Sequence, residues 1–380
     1  MTRTVTIVQR RLTHYRLPLF DCMRATLASQ GVRLRLLHGE PTPGERTKND
    51  EGRLPWAEAL PTRYLLSGRV CWQPFMPLAA GSDLVIVTQE NKQINNLLAL
   101  AAPWRKGQLA FWGHGRNMQA THPDGARERF KRWTSNRVDW WFAYTELSAT
   151  FVREDGFPAD RITVLNNSID TAELRQSVLL ARRTPREQLR SHLGLRPTGP
   201  VGLFLGSLYS DKRIAWLLQA AQAIQAQVPG FQLAVAGNGP DQALAQAAAA
   251  QSSHVVYLGS VRGERKAQLL AAADVMLNPG LVGLGILDGF VAGLPMLTTD
   301  CRLHSPEIAY LQAGENGVMT ADDLPTYVNA TVRLLQDPAR MARLQAGATL
   351  SGQAYSVEHF ADRFCDGILA CLQRGPRRGW

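Results

Sequence analysis

The sequence has little cysteine: five in 380 residues (Cys22, Cys71, Cys301, Cys365 and Cys371), an odd number that forms no C-x-x-C pair. That excludes a disulfide framework and a zinc signature and fits a reduced, intracellular protein. No apolar run approaches the roughly 18 to 20 residues of a membrane span. The opening residues, Met1 to Ile7, run straight into a strand-like pattern without the apolar core of a secretory leader, so a cytoplasmic location is expected. Low-complexity segments and short internal repeats are missing, as is a convincing D-x-D motif, and no metal or other cofactor is expected. A hydrophobic fraction of 45% beside a charged fraction of 19% excludes a largely disordered chain.

What the sequence does have is positive charge. The formal net charge is +10, which points to an anionic partner: nucleic acid, a membrane surface or an acidic substrate. From Met1 to Arg196 there are 29 Lys/Arg against 18 Asp/Glu, a net of +11; from Pro197 onward there are 13 against 14, a net of −1. A basic surface is therefore expected mostly on the first half. The segment Arg127-Glu-Arg-Phe-Lys-Arg-Trp133, with Arg137 and Trp140–Trp141 beyond it, suits an anionic bilayer, or else is a solvated helix face with its aromatics in the core. No nucleic-acid-binding module has its pattern here, so nucleic acid is not expected as a partner.

Short β-rich runs alternate with helical stretches from end to end. Strands are expected at residues 4–9, 32–38, 83–89, 108–114, 140–145 and 162–167, then at 201–208, 231–237, 255–259, 275–279, 295–299 and 316–320. Most are continuous apolar runs, as for parallel strands buried on both faces. Two rounds of alternation predict two doubly wound α/β domains. Thr184-Pro185-Arg186-Glu187 has the form of a capping box with Pro at the first helical position, and Gly194 to Pro200 breaks the chain before a fresh strand. These signals put the linker near 183–200, an N-terminal domain at 1–185 and a C-terminal domain at 195–355. A last helix at about 357–372 is free to pack back on the first domain.

The segment Leu277-Asn-Pro-Gly-Leu-Val-Gly-Leu-Gly-Ile-Leu-Asp-Gly-Phe-Val-Ala-Gly-Leu-Pro295 is a strand end, a glycine-rich turn and a helix start. Glycines let backbone come close to a ligand, and free amides at a helix start suit an anion. Leu203-Phe-Leu-Gly-Ser-Leu-Tyr-Ser-Asp-Lys212 is a strand ending at Gly206 and a loop delivering Lys212, a point charge suited to a diphosphate or simply a solvated lysine. Ala236-Gly-Asn-Gly-Pro240 and Tyr257-Leu-Gly-Ser-Val261 are further turns at strand ends.

In this order, Gly-x-Leu-x-x-x-Lys, Ala-Gly-x-Gly-Pro, Leu-Gly-x-Val and Pro-Gly-x-Val-Gly-Leu-x-x-x-Asp-x-Phe-x-x-Gly-x-Pro resemble the donor domain of glycosyltransferase family 4. The set covers about residues 201–320. The resemblance implies the GT-B fold, two Rossmann-like domains facing across a cleft, and a retaining, metal-independent transferase of the hexosyl type using nucleotide-diphosphate sugars. It implies that Lys212 and the backbone of Gly283, Leu284 and Gly285 hold the diphosphate, that Asp288 binds the ribose hydroxyls, and that Val261 lies beside the base. Gly206 and Gly239 belong to the same turns. Two positions depart from the family: its pair of glutamates is here Gly280 and Asp288, and its arginine after the first glycine is Ser207. Arg213, where the family tends to have glycine, is expected to compensate.

The first half resembles the acceptor domain. Ile7-Val-Gln-Arg-Arg-Leu-Thr-His-Tyr-Arg16 ends a strand in a polar loop whose His14, Tyr15 and Arg16 suit an acceptor sugar or phosphate, or form a structural loop. Ala110-Phe-Trp-Gly-His-Gly-Arg-Asn117 sets His114 between glycines at a strand end, and the resemblance gives it the family's active-site role. Arg116, Glu90 and Asn91 complete the acceptor candidates; Asn166 to Asp170 resembles a structural turn. The implied function is sugar transfer to a glycan or glycolipid, in bacterial cell-surface polysaccharide synthesis, on the cytoplasmic side of the inner membrane. The alternatives are a nucleotide-sugar epimerase of the same architecture and a non-catalytic basic binding protein.

Overall fold

The computed structural model describes residues 2–46, 50–90, 92–101, 107–115 and 126–377. The chain divides into two compact units, Met1–Asp170 with Val357–Trp380, and Thr171–Ser356. Each is built on a parallel sheet.

In the first unit the strands are β1 (Arg3–Gln9), β2 (Val32–His38), β3 (Glu58–Ala59), β4 (Arg63–Leu65), β5 (Val70–Trp72), β6 (Leu84–Thr88), β7 (Gln108–Gly113), β8 (Trp140–Ala143) and β9 (Ile162–Val164). Seven of them form one sheet in the order β3-β2-β1-β6-β7-β8-β9, and β4 with β5 makes a separate antiparallel pair. Ile7 in β1 lies between Leu36 of β2 and Ile86 of β6, all fully buried, which is why these strands read as continuous apolar runs. The helices are α1 (Leu17–Ser29), α2 (Pro43–Arg46), α3 (Ile94–Leu100), α4 (Ala126–Ser135) and α5 (Glu146–Glu154).

The second unit has α6 (Ala172–Ala181), α7 (Arg186–His192), α8 (Ile214–Gln227), α9 (Gln242–Gln251), α10 (Gly263–Ala272), α11 (Gly285–Val291), α12 (Leu324–Leu335) and α13 (Pro338–Ala354). Its strands are β10 (Val201–Leu205), β11 (Gln232–Ala236), β12 (Val255–Gly259), β13 (Val275–Leu277), β14 (Met296–Thr299) and β15 (Gly317–Thr320), in the order β12-β11-β10-β13-β14-β15. Then α14 (Val357–Arg374) returns to the first unit. Its buried residues Val357, Phe360, Ala361, Phe364, Cys365, Ile368, Cys371 and Leu372 follow the spacing of one helical face. Phe364 lies edge-on to Trp112 at 5.0 Å and against Phe142 at 4.6 Å, so this helix completes the first unit's core.

The expected linker at 183–200 is corrected: the units divide at Asp170/Thr171. Both α6 and α7 pack on α10. Arg186 and Arg190 share the two oxygens of Asp274 at 2.6 and 2.9 Å and donate to the carbonyls ending α10. The capping-box segment therefore starts a helix inside the second unit. This also moves charge: the first unit carries 27 Lys/Arg against 19 Asp/Glu, a net of +8, and the second 15 against 13, a net of +2.

Candidate functional site

In the second sheet β10 has β11 on one side and β13 on the other, so the connections diverge at that pair. Open α/β sheets bind ligands beyond the carboxyl ends of strands at such a switch point. The segments that leave these two strands are Gly206–Arg213 and Asn278–Leu284, which hold most of the sequence-derived donor residues. Here they are tied together. The Leu281 amide donates to the Asp211 carbonyl at 2.8 Å, and Lys212 Nζ donates to the Leu281 carbonyl. Lys212 is half-buried, and burial pushes its ammonium down to about 8. Asn278 Nδ2 donates to the same carbonyl at 3.0 Å, while its buried Oδ1 has no partner among the described residues.

Gly280 is fixed by this close approach. A Cβ there would stand 2.2 Å from the Asp211 carbonyl oxygen, so no side chain fits without moving one segment. Glycine at this position is thus built into the packing. Gly239 is set by the same means, since a Cβ on it would lie 2.2 Å from the Leu208 carbonyl oxygen.

Beyond Val282 the loop is different. The amides of Gly283, Leu284 and Gly285 make no hydrogen bond among the described residues and lead into α11. That helix has only seven residues, so its dipole adds little to what the amides offer. Asp288, buried in its first turn, accepts from Lys266 Nζ at 2.8 Å. Lys266 was not apparent from sequence because it reaches Asp288 from α10, 22 residues away. Gly206 caps β10 with its amide on the Ala236 carbonyl at 3.0 Å, Ser207 is exposed, and Val261 is buried just after β12.

Arg213 does not compensate for Ser207 as expected. It takes a left-handed conformation (φ 58°), and its guanidinium pairs with Asp322 and reaches Pro279 O and Thr299 Oγ1 at 3.4 and 3.5 Å. It braces the loop instead of offering a phosphate clamp.

The first unit has its switch point between β1 and β6. An ion cluster that sequence reasoning missed bridges it. Arg10 grips Glu45 through both terminal nitrogens at 2.8 and 2.6 Å and bonds Glu90 at 3.1 Å; Lys92 approaches Glu90 at 3.3 Å. The guanidinium holds the Glu45 carboxyl well below the usual carboxylate range. Glu90 is therefore already doubly paired.

His14 and Tyr15 lie on a 3-10 turn, Tyr15 exposed and His14 Nδ1 3.2 Å from the Asp50 carbonyl. Arg16 is a correction. Only 8% exposed, it donates to Asn167 Oδ1 at 2.8 Å and lies over the rings of Trp112, Tyr144 and Phe360 at 5.0 to 5.6 Å. The polar loop hid an internal brace. His114 is exposed just past β7, its ring 4.4 Å from Tyr144. Asn91 and Arg116 lie outside the described residues.

The basic segment divides between its two readings: Trp140 and Trp141 are buried in the core, as the solvated-face alternative expects, whereas the aromatics of the helix itself are not. In α4, Phe130 is 45% exposed and Trp133 is 53% exposed, and Arg137 stacks 3.8 Å from the Trp133 ring. These two aromatics are outside the core.

Comparison with known proteins agrees with this architecture. The glycosyl transferases group 1 family matches residues 199–337. The chain is 27% identical over 232 residues to a D-inositol 3-phosphate glycosyltransferase of Rhodococcus opacus, covering 57% of this chain and 50% of the relative. It is 27% identical over 189 residues to a phosphatidyl-myo-inositol mannosyltransferase of Mycolicibacterium smegmatis, covering 48% and 45%. It thus spans about half the length of these curated relatives. Among solved structures, Anabaena Alr3699/HepE in complex with UDP superposes over 97% of this chain and 99% of its own, at 16% identity and a TM-score of 0.68. The lipopolysaccharide outer core galactosyltransferase WaaB does so over 96% and 99%, at 14% identity and a TM-score of 0.67. Residues 199–337 thus resemble the glycosyl transferases group 1 family, and the chain has the GT-B fold.

Proposed function

We propose that this chain is a retaining glycosyltransferase that moves a hexose from a nucleotide-diphosphate sugar to a hydroxyl of a polyol, glycan or glycolipid. The observation that carries this is the second unit's switch point: a half-buried Lys212 on the glycine loop, three unengaged amides at Gly283–Gly285, and the Asp288 carboxylate in the helix they open. A diphosphate matches the cation and amides, and a ribose diol matches the carboxylate. The relatives' names, D-inositol 3-phosphate glycosyltransferase and phosphatidyl-myo-inositol mannosyltransferase, support the acceptor class.

As the sugar leaves, charge builds on the departing phosphate, and Lys212 with the loop amides stabilises it without a metal ion in the step. The same phosphate takes the acceptor proton, so the new bond forms on the face the diphosphate leaves. To His114, exposed just past β7, we assign a catalytic role. The exposed Phe130 and Trp133 with Arg137 support attachment to an anionic membrane surface. No helix among the described residues is long and apolar enough to cross a membrane.

The test is a panel of UDP- and GDP-sugars with polyol and lipid-linked acceptors, product anomers read by NMR, with and without EDTA. Transfer with retained configuration, insensitive to EDTA and lost in His114→Ala and Lys212→Ala, is expected. Donor conversion to an epimer without acceptor, or inertness with no UDP or GDP binding, overturns it.

A further inference from the structure

The glycine loop has a second attachment that neither the sequence motifs nor the donor residues account for. His304 is only 5% exposed, on the segment after β14. Its Nδ1 accepts from the Val282 amide at 3.1 Å, and its Nε2 stands 2.7 Å from the Thr299 carbonyl oxygen. A backbone amide only donates and a carbonyl only accepts, so these partners fix one tautomer: neutral imidazole with its proton on Nε2. The next residue holds the same loop position from the other side, the Ser305 amide donating to the Val282 carbonyl at 2.9 Å. Arg302, two residues earlier, has φ 57°, a left-handed conformation that costs a non-glycine residue free energy and turns the segment back toward the loop.

Together these bonds divide the loop sharply. Leu281 is held on its amide by Asp211 and on its carbonyl by Lys212 and Asn278; Val282 is held on its amide by His304 and on its carbonyl by Ser305. The next three amides are unengaged. Val282 is thus the last residue held on both sides by the segment after β14; beyond it the Gly283 and Leu284 carbonyls accept from Ile286 and Leu287 within the turn itself, so the placement of Val282 sets where the turn and its three unengaged amides lie.

We propose that His304 is a positioning residue of the nucleotide-diphosphate site, acting through the Val282 amide to aim the amides of Gly283, Leu284 and Gly285. The proposal deepens the donor-site assignment above and rests on it. It requires the acceptor at Nδ1; the bond from Nε2 to Thr299 anchors the ring. The two roles separate by substitution. In His304→Asn the side-chain oxygen occupies the Nδ1 position and keeps the acceptor while losing the distal donor. In His304→Gln the amide nitrogen reaches the Nε2 position and keeps the donor while losing the acceptor.

The experiment measures UDP and GDP binding by calorimetry, thermal stability, and hydrogen exchange at the Val282 amide in the wild type, both variants and Lys212→Ala. Expected is Asn binding nucleotide within about threefold of wild type and Gln weaker by about tenfold or more, the scale of one lost hydrogen bond. The Val282 amide stays protected in Asn and exchanges in Gln, while the two Tm values fall alike. Equal loss of affinity in both variants, or loss that merely follows Tm, overturns the positioning role. So does Val282 protection that is the same in both. If the wild type binds neither nucleotide, or Lys212→Ala binds as well as wild type, the donor site itself is wrong and the proposal falls with it.

Discussion

Lys212 is a cation in a place that penalises cations, with a carbonyl as its bonded partner. A diphosphate would relieve that penalty, so Lys212→Ala should weaken UDP binding by roughly tenfold to a hundredfold, the range for a hydrogen bond to a charged group. Calorimetry checks it. With the free ammonium at about 8, affinity should hold below that pH and fall above it, and binding near pH 8 to 9 should take up a proton. Stability of the free protein moves the other way. Between about 8 and the usual 10.5 the unfolded chain binds more protons than the folded one, so this lysine makes stability rise with pH across that window. Gly280 is the second test at this scale. Gly280→Ala should cost about 1–3 kcal/mol by overpacking against Asp211, and Gly280→Glu should not improve donor use; thermal melts and UDP titration read both. Lys212, Asp288 and the loop glycines were legible because a local motif carries them. Lys266, His304 and the burial of Arg16 were not, because each depends on a partner 22 residues away or more, or on rings from other elements.

At the scale of elements, strands form at all twelve segments read from the sequence, because strands buried on both faces must be apolar along their length. The three that were missed, β3 to β5, have two or three residues each and little buried surface, too short for any period to show. The boundary was misread for an equally physical reason. A capping box marks where a helix begins, not which core it joins, and three arginines, Arg182 just past α6 and Arg186 and Arg190 in α7, join this one by gripping carbonyls of the second unit. The return helix α14 makes its own prediction. Phe364→Ala removes an aromatic seated on Trp112 and Phe142 and should cost about 3–5 kcal/mol. Arg16→Ala should cost roughly 2–4 kcal/mol through its lost bond to Asn167 and its ring contacts. Both are read by denaturant unfolding, and Arg16→Ala should spare acceptor recognition beyond its effect on stability.

For the whole molecule, the charge is shared as +8 and +2, less lopsided than the two halves of the sequence suggested. What sets the first unit apart is the exposed pair Phe130 and Trp133 beside Arg137. Sedimentation with vesicles containing anionic lipid should carry the protein down at low salt and release it as salt rises. Phe130→Ala with Trp133→Ala should weaken that binding without changing UDP affinity. Binding indifferent to lipid charge would count against a basic surface. The return of α14 has a further consequence during synthesis. The second unit is one continuous stretch, Thr171–Ser356, while the first needs a helix encoded after it. At about 5–20 residues per second those 186 residues take the ribosome roughly 10 to 40 s. For that interval the nascent first sheet stands without the Phe360 and Phe364 side of its core, so the unit begun first is the one finished last.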